Sequence, residues 1–149
     1  MTIKELLKDL ETGEEITVLN KPFTYLGRAE IKLDSGNNLY WMYGSDDAVV
    51  AVSPEDENLI LFESIENDVE PEEDMILFQG KEYEFSYEDA GLVSEVIGDT
   101  PIEEEDRFSF SDYAGEGGRL MRLIVNENTG DKSAYFGTVI AEDDIMPAD

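Results

Sequence analysis

The sequence predicts a mainly β protein: two small antiparallel curved sheets or barrels, patterned as a duplication, with a short N-terminal helix. Three observations carry that expectation. Beyond Gly13 the apolar residues alternate with a period of about two rather than the 3.6 of a helix. Apolar runs of strand length are bounded by clusters of Gly, Pro, Asn and Asp. The two halves of the chain repeat one another's pattern. At 149 residues the chain can bury one compact core or two very small ones. It divides into an N-terminal helix over 1–13, a first β half over 14–66, an acidic connector over 67–74 and a second β half over 75–149, all expected to act as one compact unit.

Ile3, Leu6, Leu7 and Leu10 fall at helical spacing, Thr2 and Glu5 fit a capping box, and Gly13 supplies a stop, so a helix is expected over residues 2–12. It reads as a lid on one end of a β core, the alternative being a docking helix for a partner. Phe23 and Tyr25 alternate, as do Ile31 and Leu33, before the turn Asp34-Ser35-Gly36-Asn37 and a return strand with Leu39, Trp41 and Tyr43 on one face. Val49–Val52 and Leu59–Phe62 are short enough to be buried strands. Tyr83, Phe85 and Tyr87 interleave with acids, which predicts an aromatic ladder on one face of a half-buried strand. Leu120–Val125 and Ala134–Ile140 flank a turn and read as a final hairpin.

The repeat lays Phe23-Thr24-Tyr25 over Tyr83-Glu84-Phe85, and the hairpin of residues 39–52 over that of 120–136. A duplication and generic β alternation would both produce it. Between the halves, residues 63–74 carry seven carboxylates around Pro71 and read as an exposed connector.

Composition excludes several chemistries. Thirty-seven acids against ten Lys and Arg give a net charge of −27, which argues against direct contact with a nucleic-acid backbone or an anionic membrane. No apolar run approaches the roughly 18 residues of a spanning helix, and the N-terminus does not read as a secretory signal, so a cytoplasmic location is expected. With no Cys and no His there is no disulfide, no thiolate nucleophile, no Cys/His zinc site and no histidine base.

The acidic clusters at 54–57, 63–74, 103–106 and 142–144 could in principle supply paired carboxylates. Acid catalysis needs one carboxyl in an apolar pocket, whereas runs of acids in loops are solvated. Asn126–Asp131 superficially has alternating oxygen ligands, but Gly137 stands where a calcium loop closes with an acid, and a plain turn is expected. Gly115–Gly118 leads into a strand rather than a helix, so it is no phosphate cradle. No catalytic residue, cofactor or metal site is expected, only weak binding of cations or polyamines to the anionic surface.

The strand Leu39-Tyr40-Trp41-Met42-Tyr43, the segment Gly80-Lys81-Glu82-Tyr83, the run Val96-Ile97-Gly98-Asp99-Thr100-Pro101 and the closing Tyr135-Phe136-Gly137-Thr138-Val139 together resemble the bacterial domain of unknown function family 4178. Where that family often places Trp after the proline, this chain has Ile102. The resemblance implies a β-rich, non-catalytic module encoded beside membrane-stress proteins or polyamine-synthesis enzymes, and it carries over no catalytic residue.

The functional expectation is therefore an acidic protein-interaction or adaptor module with a protein partner. Its candidate interaction residues are Tyr40, Trp41 and Tyr43 on the aromatic strand, although a Trp in an alternating strand reads first as a core anchor, and Glu103, Glu104, Glu105 and Asp106 on an acidic loop. The alternative is a DNA mimic whose carboxylates stand where phosphates would lie. Adaptation to high salt is a third account of the charge, and a carboxylate enzyme a fourth.

Overall fold

In the computed structural model, which describes residues 1–66 and 69–148, antiparallel pairing runs unbroken around a ring of eight strands. The helix α1 spans Ile3–Lys8, and the strands in chain order are β1 (Glu15–Val18), β2 (Lys21–Leu33), β3 (Asn38–Gly44), β4 (Ala48–Ser53), β5 (Asn58–Ile65), β6 (Met75–Phe78), β7 (Lys81–Gly98), β8 (Arg107–Ala114), β9 (Arg119–Asn126), β10 (Lys132–Ile140) and β11 (Ile145–Pro147). The ring reads β2-β3-β4-β5-β10-β9-β8-β7 and returns to β2, while β1, β11 and β6 lie outside it.

This corrects the expectation of two separate sheets. Each half supplies four consecutive strands, and the halves fuse along two seams, Ile31↔Val93 between β2 and β7 and Gly137↔Phe62 between β10 and β5. A four-stranded curved sheet leaves two unpaired edges. Joining first strand to first and last to last removes all four.

Alternation then sorts the side chains. Leu39 and Trp41 of β3, Val49 and Ala51 of β4, Ile60 and Phe62 of β5, Phe108 and Phe110 of β8, and Leu120 and Ile124 of β9 share the buried cluster inside the barrel. The opposite parity makes two outer clusters. Met42, Val50, Val52, Leu59 and Leu61 are covered by Leu6 of α1, by Ile16 and Val18 of β1 and by Ile145 of β11. On the second half, Tyr113 and Met121 are covered by Ile76 and Tyr83 of the β6–β7 hairpin.

The two covering hairpins share a register 60 residues apart. Ile16 faces Phe23 and Val18 faces Lys21, just as Ile76 faces Tyr83 and Phe78 faces Lys81. Their two-residue turns, Leu19-Asn20 and Gln79-Gly80, have positive φ throughout, the primed geometry whose twist suits a hairpin. Each hairpin folds back over a glycine. A Cβ on Gly44 would stand 2.3 Å from the Phe23 ring, and one on Gly115 would stand 2.5 Å from the Tyr83 ring.

The aromatic ladder of β7 is not on one face. Pairing shifts between Phe85 and Tyr87, as it does between Tyr25 and Gly27, so an extra residue turns the alternation over. Tyr83 is buried, Phe85 packs edge-on against Tyr113 of the outer cluster, and Tyr87 leans on Phe110 of the interior.

The helix is shorter than its apolar spacing suggests. Its capping box is present, with Glu5 N–H donating to Thr2 Oγ1 at 3.1 Å and Thr2 N–H donating to Glu5 Oε1 at 3.0 Å. It ends at Asp9, before Gly13, where Arg28 donates to the Leu7 carbonyl at 2.5 Å and balances the negative end of the helix. The expected connector also shrinks at its start, because β5 continues through Glu63 and Ser64 to Ile65, paired with Ala134. Asp68 of that connector lies outside the described residues.

Candidate functional site

Two regions depart from a plain packed barrel. The first is its interior. Asp112 and Arg122 sit directly opposite each other on β8 and β9 and both point inward, at the parity of Phe110 and Ile124. Arg122 Nε donates to Asp112 Oδ1 at 2.7 Å and Nη2 to Oδ2 at 2.9 Å, with side chains only 6% and 12% exposed. The guanidinium carbon lies 4.6 Å from the Phe62 ring centre and 4.5 Å from that of Phe110, so two rings sandwich the cation. Its remaining nitrogen, Nη1, is buried and has no protein acceptor.

Cavities flank this pair. One, of about 200 Å³, is lined by Trp41, Tyr43, Phe62, Phe108, Arg122 and Tyr135, and reaches Ile102 and Asp131 at the barrel end. The other, of about 240 Å³, is lined by Leu39, Ile60, Tyr87, Phe110, Asp112 and Arg122. Inside the first, burial and the neighbouring Tyr135 phenol push the Tyr43 hydroxyl far above the usual tyrosine range, and burial raises Tyr135 as well. Beside the second, burial and a hydrogen bond to Asp89 push Tyr87 up to about 12. Burial works to raise Asp89 itself, but hydrogen bonds from Tyr87, Ser35 and the Ala90 N–H outweigh it and lower its pKa.

The second region is the outer face of the second half. The edge of β1 is paired with β11 in register Thr17↔Met146, and its apolar side is closed by α1. The corresponding edge of β6 carries no strand among the described residues beyond a single bridge between Glu72 and Met75. Leu77 on β6 is 69% exposed and stands opposite the exposed Glu82 on the solvent face of the hairpin, whereas Phe85, 41% exposed, is on the face that packs against Tyr113, near the exposed Glu72, Glu73, Asp74 and Glu84.

The candidate residues read from the sequence do not form one surface. Trp41 is a buried interior anchor, edge-on to Phe108 at 5.5 Å between ring centres, and Tyr43 lines the same cavity. Tyr40 points outward, where the Arg28 guanidinium lies 5.4 Å above its ring beside α1. Glu103, Glu104 and Glu105 are exposed on the β7–β8 loop, while Asp106 turns back to accept from the Glu103 N–H at 3.0 Å. Pro101 and Ile102 on that loop line the first cavity, but the four acids that follow them do not.

The Asp112–Arg122 pair was not anticipated. Its signal is parity: an acid and a base at inward positions of consecutive strands, flanked by Phe108, Phe110, Leu120 and Ile124. Among the described residues no group of carboxylates is arranged to hold a metal ion. Among the same residues no helix is long and apolar enough to cross a membrane. No family model matches the chain, and neither a curated protein nor a solved structure matches it.

Proposed function

We propose that the chain is a non-catalytic adaptor that captures an extended, cationic segment of a partner protein along β6. One observation carries the reading: of two hairpins built in the same register, β1 has its outer edge filled by β11, whereas among the described residues β6 is met on that edge only by Glu72, bridged to Met75. An open strand edge supplies backbone donors and acceptors in the spacing that an incoming strand needs, and exposed side chains beside it supply specificity. Leu77 on the solvent face of the hairpin and Phe85 on its other face offer apolar contacts to the alternating side chains of an added strand. Glu72, Glu73, Asp74, Glu82 and Glu84 select a partner rich in Lys and Arg, and they oppose a second copy of a chain that carries a charge of −27.

The shared registers also motivate a finer proposal, that the two halves derive from a duplicated β-meander. A cytoplasmic setting in an envelope-stress or polyamine-linked bacterial system belongs to the same proposal and rests on the family resemblance.

The test is a peptide carrying Ile-Met-Pro, the sequence of β11, flanked by lysines and titrated while backbone amide shifts are followed. Shifts centred on residues 75–79 are expected. Leu77→Pro should abolish them without unfolding the barrel, because edge strands tolerate proline. Shifts confined to β1 and β11, or shifts unchanged in Leu77→Pro, overturn the reading. A DNA-binding protein held by the chain and displaced by duplex DNA would favour mimicry instead.

A further inference from the structure

We propose that the barrel interior is a binding site for a small, uncharged aromatic compound with a carbonyl oxygen, its ring seated among Trp41, Phe62, Phe108 and Tyr135 and its oxygen accepting from Arg122 Nη1. The inference is independent of the β6 edge. It starts from the one buried side-chain donor, among the described residues, that the protein leaves without an acceptor. Arg122 is 5% exposed, and two of its nitrogens are already bound to Asp112. The guanidinium is planar and its nitrogens diverge, so Nη1 is directed away from Asp112. The first cavity is the one that Arg122 lines and Asp112 does not. Nη1 has almost no accessible surface as it stands, so an acceptor in that cavity reaches it as the guanidinium edge or its neighbours give way, a shift favoured because leaving a buried donor unmade is costly.

Charge sets the class of ligand. Arg122 is already neutralised by Asp112, so a carboxylate or phosphate would bring an uncompensated negative charge into the interior of a chain carrying −27. A neutral carbonyl satisfies Nη1 without that cost. Size and shape set the rest. A cavity of about 150 Å³ with apolar walls accommodates benzene, and the space here is about 200 Å³, leaving room for one compact substituent. Its aromatic wall, with Phe62 and Tyr135 edge-on at 6.2 Å and Trp41 and Phe108 at 5.5 Å, is an arrangement that takes a further ring by stacking or edge contact, while Asn126, Asp131 and Ser133 add polar groups toward the barrel end.

The site has its own reporter, because Trp41 is the only tryptophan in the chain and lines the cavity. The experiment titrates the full chain with benzamide, benzoate and ethylbenzene, following Trp41 emission and the side-chain nitrogen resonances of Arg122. Benzamide is expected to saturate at one equivalent, to shift Nη1 and to bind about tenfold or more tighter than benzoate. The double variant Asp112→Leu/Arg122→Met removes the donor together with its partner. It should weaken benzamide about tenfold or more while leaving ethylbenzene unchanged, the loss expected of one hydrogen bond to a charged donor. Ser133 occupies, opposite Ile124 on β10, the place that Ile60 holds opposite Ala51 on β5. Ser133→Ile should therefore fill the cavity and abolish both ligands. The proposal is overturned if benzamide gives no saturable response, if Nη1 reports an ordered water only, if the double variant weakens benzamide and ethylbenzene alike, or if Ser133→Ile binds benzamide as the parent does. That last comparison decides the matter even if the double variant fails to fold.

Discussion

Arg122→Met should be among the most damaging single substitutions in the chain, although it exchanges a charged residue inside an apolar barrel for an apolar one. The side chain it removes makes two charge-assisted hydrogen bonds, at 2.7 and 2.9 Å, and lies between two rings at about 4.5 Å. What it leaves is worse than what it takes away. Asp112, with a side chain 12% exposed, would keep a buried carboxylate without the guanidinium it now binds. Orphaning one member of a buried ion pair costs about 3–5 kcal/mol, a large share of the roughly 5–15 kcal/mol that holds a domain folded. Asp112→Leu should cost a similar amount for the mirror-image reason. The double variant Asp112→Leu/Arg122→Met, which buries no charge, should lie within about 1 kcal/mol of the parent or above it. A double-mutant cycle by urea unfolding, with m-values shared across the four proteins, should then give a coupling of about 3 kcal/mol or more. Additive single effects, or a loss below about 1 kcal/mol for Arg122→Met, would refute the description of the pair as mutually dependent.

Alkaline stability offers a second check. Burial raises the hydroxyl of Tyr43 above that of an unfolded tyrosine near pH 10, so above that pH the unfolded chain releases a proton that the folded chain retains. The stabilisation is complete below about pH 10 and declines with rising pH by up to about 1.4 kcal/mol per unit. Tyr43→Phe should flatten that decline in urea midpoints measured from pH 9 to 11, and an unchanged slope would count against it. The folded-over hairpins make a third expectation. Gly44→Ala and Gly115→Ala each drive a methyl group into a ring, Phe23 or Tyr83, and should cost about 1–3 kcal/mol apiece in thermal or urea unfolding. Free tolerance of either would mean that the ring does not sit where it is described.

Much of the strand pattern could be read from residues alone because alternation is local. The turn at Asp34–Asn37 and the parity of Leu39, Trp41 and Tyr43 needed no knowledge of distant partners, and the capping box of Thr2 and Glu5 is a four-residue signal. Ring closure was not legible. Ile31 meets Val93 and Phe62 meets Gly137, pairings whose energy depends on a curvature that no short window records. The ladder of Tyr83, Phe85 and Tyr87 misled for a related reason, since the extra residue at Ser86 is invisible to a period-two count. Within the aromatic strand the period divides what proximity in sequence suggests is joined. Tyr40 goes to the outside and Trp41 and Tyr43 go in, so three aromatics within four residues serve two unrelated environments. Arg122 hid in plain view, because a base within Leu120–Val125 reads as an outward residue until the partner strand places Asp112 opposite it.

The placement of the cations gives the charge its meaning. Arg122 is locked inside with Asp112, Arg107 binds Asp34 and Glu127, and Arg28 is spent on the end of α1 and the ring of Tyr40. A chain with ten basic residues against thirty-seven acids thus commits three of its four arginines to internal contacts, and presents to its surroundings a field that is almost wholly negative. Binding at the exposed β6 edge must then weaken as salt rises, because charges there are screened over about 10 Å at 0.1 M. Binding inside the barrel involves a neutralised pair and a neutral ligand, so it releases and recruits no charge and must be nearly indifferent to salt. The two modes of recognition therefore separate on one axis. A cationic peptide whose affinity falls steeply between 50 and 500 mM salt, beside an aromatic amide whose affinity does not move, is the pattern that this distribution of charge requires.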